Sequence, residues 1–271
     1  MKALCQKASD LVSISNKSLC YFRICFGLTI AASLVTLLSD FEWALSSTGV
    51  YSTEESFKAS KFFSFYFHVN DTGAFLLLYF TFAVSVFFAF GYLGTFCKAL
   101  LFVLLWQLHI RNPYLFGGWG SIQRWVLVLT LFLPLNKTEG ETKNLASFAL
   151  LLFIAQIYFY ASMSKFGISW VTSRNAVENS LWIAGRQNEL SVILRASEPA
   201  ILQALTRYVL LAESLIPILI FCPATRYVAF FFMFSLHYGI EVFINVGWFS
   251  FGMLSLSLCL LPKSAWERLK I

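Results

Sequence analysis

Long apolar runs recur along this chain, and nearly all are closed by a charge or a proline. Runs of about 20 apolar residues restrict folding more than anything else here, because a helix of that length spans the hydrocarbon of a bilayer. Inside hydrocarbon every backbone N–H and C=O must be paired within the protein, which leaves helices or closed barrels. The runs fall at 19–38, 73–93, 98–110, 122–135, 145–163, 201–221, 227–246 and 248–261. The third, fourth and last are short. The expected fold is an all-α polytopic transmembrane bundle of about eight spans, with a range of six to eight. One domain covers residues 1–271, without repeats or linkers. Composition agrees: 58% of residues are hydrophobic, 18% aromatic and only 13% charged, against about a quarter charged in soluble domains.

Two stretches are mixed rather than apolar. In 167–200, Trp170, Leu181, Trp182, Leu190 and Ile193 alternate with Arg174, Glu178, Arg186, Glu189, Arg195 and Glu198. That pattern suits one or two amphipathic helices in the membrane interface. Residues 41–71 are similar, and the aromatic run from Phe62 to His68 is expected to dip into the headgroups.

The net charge of +6 sits in short loops and tails, not in a basic stripe. It reads as topological signalling, and no nucleic-acid motif competes. With eight spans and the N-terminus inside, Lys2, Lys7, Lys17, Lys98, Lys137, Lys143, Arg226, Lys263, Arg268 and Lys270 are cytoplasmic. The outer loop after the first span holds Asp40, Glu42, Glu54, Glu55 and Asp71 against Lys58 and Lys61. Both termini are then cytoplasmic, and the three arginines of 167–200 are the exception to the positive-inside rule. The N-terminal stretch to Lys17 has no apolar core with a cleavage site, so the first helix is the expected insertion signal. Cys5, Cys20, Cys25, Cys97, Cys222 and Cys259 fall on the cytoplasmic side and show no CxxC or zinc spacing, so no metal is expected.

Ionisable residues inside spans are costly and mark functional sites or internal pairs. His109, Arg111 and Asn112 end the third span, Gln123 and Arg124 open the fourth, and Lys165 closes the fifth with Trp170 following. His237 and Glu241 stand one turn apart in the seventh. Together they could line a polar chamber at the outer face. The plainer alternatives are that Arg111 and Arg124 snorkel to headgroups, that Lys165 anchors at the interface, and that His237 and Glu241 satisfy each other. Glu213 lies deeper in the sixth span and needs a His or Arg partner, or a proton. There is no P-loop, dinucleotide fingerprint or nucleophile elbow.

Four places resemble the HTTM family, which includes the membrane domain of vitamin K-dependent γ-carboxylase. They are Tyr21 to Leu28 with Arg23 and Gly27; Arg111-Asn112-Pro113 with Gly117-Gly118 and Arg124; Tyr158 to Phe166 with Lys165, followed by Trp170; and His237-Tyr238-Gly239-Ile240 through Trp248. The resemblance implies that Lys165 meets a reduced quinone, vitamin K hydroquinone-like, and deprotonates it. An amine in an apolar pocket loses stabilisation of its charge, which makes the neutral base accessible. Oxygenation of the quinol anion would then provide a strong base. By the same resemblance His237 is an orienting partner. The chain departs from the carboxylase in two ways. It has only about ten residues after its last apolar run, and Trp119 or Gly120 stands where an acidic residue often follows the Gly-Gly turn. In size it is closer to bacterial HTTM-only proteins, including sporulation-delaying-protein B-type factors, which help mature a secreted peptide.

The leading expectation is a bacterial plasma-membrane protein carrying out quinol-dependent modification of a peptide or small substrate at the outer face. Lys165, His237 and Glu241 would be catalytic, and His109, Arg111, Asn112, Arg124 and Trp170 would bind substrate. The alternative is a non-catalytic factor for maturation or export of a secreted peptide. A transporter ranks third, as no repeat symmetry recommends it.

Overall fold

The structure is a computed structural model and describes residues 11–60, 62–112, 117–183 and 185–268. The expectations placed on Lys2, Cys5, Lys7, Lys61, Pro113 and Lys270 lie outside these residues. The described chain is all-α, with a single pair of two-residue strands, β1 (Ile14–Ser15) and β2 (Glu141–Thr142).

Four helices are long and apolar enough to cross a membrane: α1 (Asn16–Ser39), α4 (Asp71–Phe90), α7 (Leu145–Met163) and α11 (Pro199–Leu219). Two very short helices, α2 (Phe41–Ala44) and α3 (Thr53–Ala59), lie between α1 and α4. The other four expected spans are helical but fall short by length or hydropathy. Helix α5 (Gly94–Arg111) carries Lys98, His109 and Arg111, and α6 (Gly117–Thr130) has 14 residues. Helix α12 (Arg226–Phe243) includes Arg226, His237 and Glu241, and α13 (Phe249–Ser257) has nine residues. The mixed segment 167–200 forms three short helices rather than one or two: α8 (Ile168–Val171), α9 (Ala176–Leu181) and α10 (Glu189–Arg195). Helix α14 (Lys263–Arg268) ends the described chain.

Contacts divide the chain into two compact units, 23–136 and 1–22 with 137–271. In the first, buried cations tie helix ends together. The guanidinium of Arg23 donates to the carbonyls of Ala89 and Leu135, each at 3.1 Å, and to the Asn136 side chain. These carbonyls lie at or beyond the ends of α4 and α6, where helical partners run out. Gly91 ends α4 at φ +80°, and a Cβ there would run into the Arg23 guanidinium. Lys98 Nζ caps the end of α6 through the carbonyls of Thr130 and Leu133 at 2.9 and 2.7 Å.

In the second unit, four chain segments meet at one end. β1 pairs with β2, and Asn16 bonds to the Glu139 and Gly140 carbonyls. Ser18 Oγ donates to the Leu261 carbonyl at 2.6 Å and accepts from Trp266 Nε1 at 2.7 Å. Arg226 donates to the carbonyls of Ile220, Ser13 and Leu11. From this near end α7 leads away, α11 returns, α12 leads away again and α13 returns. Ser162, near the end of α7, meets Ser214 of α11 at 2.8 Å, so residues 199–213 of α11 run on past α7. Helices α8 and α9 pack on that extension, and α10 packs on α12. Val177 N donates to Thr206 Oγ1, Asn188 Nδ2 to the Val242 carbonyl, and Asn245 N to the Arg186 carbonyl.

Candidate functional site

Where α7 stops, the second unit has an apolar chamber of about 310 Å³ between α9–α10 and the extended parts of α11 and α12. Leu181, Leu194, Leu205, Ile240 and Phe243 contribute to its walls. Its polar lining comprises Ser180, Arg186, Tyr208 and Ser235 together with an ion pair, Lys165 Nζ to Glu213 Oε2 at 2.6 Å, with side-chain exposures of 17% and 9%. Lys165 also donates to the Ala161 carbonyl at 3.2 Å, the last turn of its own helix. Its ammonium lies 5.1 Å from the centre of the Trp170 ring, a cation–π distance. The backbone turn after α7 aims the lysine back towards α11 instead of outwards. Glu213, for which the sequence offered a His or Arg partner or a proton, is paired with a lysine.

His237 and Glu241 do not satisfy each other. His237 Nε2 is 2.7 Å from the Tyr158 hydroxyl, both groups are buried, and the ring also packs against Phe249. The Nδ1 atom has no hydrogen-bond partner among the described residues. Tyr158, one of the motif residues, was missed as a site neighbour. It shares the buried face of α7 with Ile154 and Ser162 at spacings of four, and that spacing could have shown it.

The remaining candidates belong to the other unit, 23–136. Arg111 does not snorkel: it is 1% exposed, and its two terminal nitrogens donate to the carbonyls of Leu45, Ser46 and Tyr51 and to Ser56 Oγ. Asn112 Nδ2 donates to the Ala44 carbonyl at 2.9 Å. These two residues hold the 44–56 segment, and their donors are spent on it. His109 is buried on α5, and the Arg124 guanidinium lies 5.2 Å from the centre of the Trp106 ring. The structure thus gathers Lys165, Trp170 and Glu213 in one chamber and gives Arg111 and Asn112 a fastening role. Among the described residues, no three His, Cys, Asp or Glu side chains gather to hold a metal.

The chain matches no family model, no curated protein and no solved structure. The resemblance to HTTM proteins accordingly rests on the motif residues alone.

Proposed function

We propose that this chain is a multi-pass plasma-membrane protein of HTTM type whose second unit binds a planar, weakly acidic amphiphile and moves its proton. The observation that carries the reading is the Lys165–Glu213 pair facing an apolar chamber. Such a chamber lies within the range of small-molecule sites, about 300–1,000 Å³, mostly apolar with few polar groups. A hydroquinone fits this donor set. Apolar walls suit its ring and tail, and the ion pair offers one site that gives a proton and one that takes it. When bound, a reduced quinone would supply electrons and an ionisable hydroxyl. For the pair to move a proton, Lys165 would pass its own to Glu213 and take the ligand's, and Glu213 would then release its proton to water, which restores the ion pair and leaves the ligand as its anion. Trp170 would flank the ring.

The near end of the second unit carries Lys17, Lys143, Arg226 and Lys263, which supports a cytoplasmic placement of that end and of both termini. The chamber then opens towards the outer face. Eight crossings would need α5, α6, α12 and α13 to be shielded by neighbours where they are polar.

The test is binding of a naphthoquinol or benzoquinol to the purified protein in nanodiscs, read by quenching of tryptophan fluorescence and by proton release. Wild type should bind and release a proton. Lys165→Met should bind weakly without proton release, and Glu213→Gln should shift the pH of release. Binding that ignores both substitutions would sink the catalytic reading and favour a peptide-maturation factor.

A further inference from the structure

A second concavity lies against the outer side of the same chamber wall. It is a groove of about 610 Å³ between α8 and α11, with Trp170 and Tyr208 common to both spaces. Two arginines flank it, Arg174 after α8 and Arg207 on α11. Neither has a carboxylate or hydrogen-bond partner among the described residues. Arg174 is held at φ +57°, a left-handed conformation that is unfavourable for a non-glycine residue and persists where surroundings impose it.

The rest of the groove is apolar, and its direction is set by one stripe of α11. Ala204, Arg207, Leu211, Ser214 and Ile218 follow at spacings of three and four, so they share a helix face. Arg207 lies towards the α8–α10 end, while Leu211 and Ile218 run on into the apolar length of the helix and are 52% and 71% exposed. Charge at one end and an exposed aliphatic track leading away match a phosphate headgroup with its acyl chain. Arginine suits this, because its fork of donors fits phosphate oxygens. Arginines at this end also depart from the positive-inside pattern, which places the lysines of the near end on the cytoplasmic side, so they need a reason beyond topology.

We propose that the groove is a binding site for an anionic phospholipid, the phosphate held by Arg174 and Arg207 and one acyl chain lying along Leu211 towards Ile218. The site borders the chamber but does not depend on the quinol reading, since its readout is lipid retention and not proton transfer.

The experiment is native mass spectrometry of the purified chain after exchange into mixed phosphatidylglycerol and phosphatidylcholine micelles. Wild type should retain one phosphatidylglycerol in preference to phosphatidylcholine. Arg174→Gln/Arg207→Gln should lower that retention at least tenfold. Leu211→Trp, which fills the track and leaves the charge unchanged, should also lower it. Arg195→Gln removes a charge from the same segment, where Arg195 stacks on Trp182 at 3.7 Å, and should retain the lipid. Equal loss in Arg195→Gln would reduce the effect to general surface charge and overturn the site. Retention in the double variant would do the same. Displacement of the lipid by millimolar glycerol 3-phosphate would show a bare phosphate site and overturn the acyl-chain half. Should the double variant fail to fold, Leu211→Trp decides alone.

Discussion

Lys165 Nζ and Glu213 Oε2 stand 2.6 Å apart at the level where α7 ends and α11 continues. Both side chains are largely withdrawn from solvent, so each is the other's compensation. Removing one leaves an uncompensated buried charge, which costs about 3–5 kcal/mol, whereas replacing both by apolar groups of similar size is often neutral. Lys165→Met and Glu213→Leu should each lower the melting temperature of the detergent-solubilised protein markedly. The double variant should regain most of the loss. Additive losses would show that the two groups are not coupled.

Arg111 offers a different test, since its partners are backbone carbonyls. Arg111→Met would leave the carbonyls of Leu45, Ser46 and Tyr51 without their donors, and each buried unsatisfied group costs about 1–3 kcal/mol. Lysine cannot restore the fork, so Arg111→Lys should recover only part. Limited proteolysis checks this. Cleavage should appear within 44–56 in Arg111→Met and be much slower in wild type, while Lys165→Met should leave that segment protected.

The helical nature of the chain and its most apolar spans were legible in the sequence because bilayer length is a local property. Residues 19–38, 73–93, 145–163 and 201–221 are apolar without interruption by more than one or two charges, and these became α1, α4, α7 and α11. What was not legible is pairing over distance. Glu213 was plainly a costly residue, but hydropathy does not say that the turn after α7 swings Lys165 to meet it. Arg111 looked like a site residue by its type and its place at a helix end. Its role depends on where the 44–56 segment folds, which periodicity does not encode. Arg23 and Gly27 belong to one motif, and the structure gives that motif a packing cause. Arg23 caps helix ends, and a Cβ at Gly27 would lie 2.8 Å from Ala89.

Glycines 91 and 94 form a matched pair for testing that packing. Both have left-handed backbones, at φ +80° and +52°. A Cβ at Gly94 meets open space, while one at Gly91 meets the Arg23 guanidinium and the Asn136 side chain. Gly94→Ala should therefore cost only the backbone term, about 1–2 kcal/mol. Gly91→Ala should cost more, as it also displaces Arg23 from the Ala89 and Leu135 carbonyls. Thermal unfolding of the two variants side by side gives the comparison, and equal shifts would mean that Arg23 relocates freely.

Cys222 reports sidedness. It is exposed between α11 and α12, while Cys97 and Cys259 are buried and Cys20 and Cys25 half-buried. Its thiol titrates below the ordinary range, chiefly through hydrogen bonding with Thr225, aided by nearby backbone and by the charge of Arg226. A lowered value means more thiolate at a given pH below it, and the thiolate is the reacting form. In a Cys5→Ser background, alkylation should therefore be selective for Cys222 and persist to lower pH than for an unperturbed thiol, near 8.5. Thr225→Val should move the rate profile up in pH. In sealed inside-out vesicles a membrane-impermeant maleimide should label Cys222 readily, and in right-side-out vesicles hardly at all. The reverse pattern would place the lysine-rich end of the second unit outside and overturn the proposed orientation.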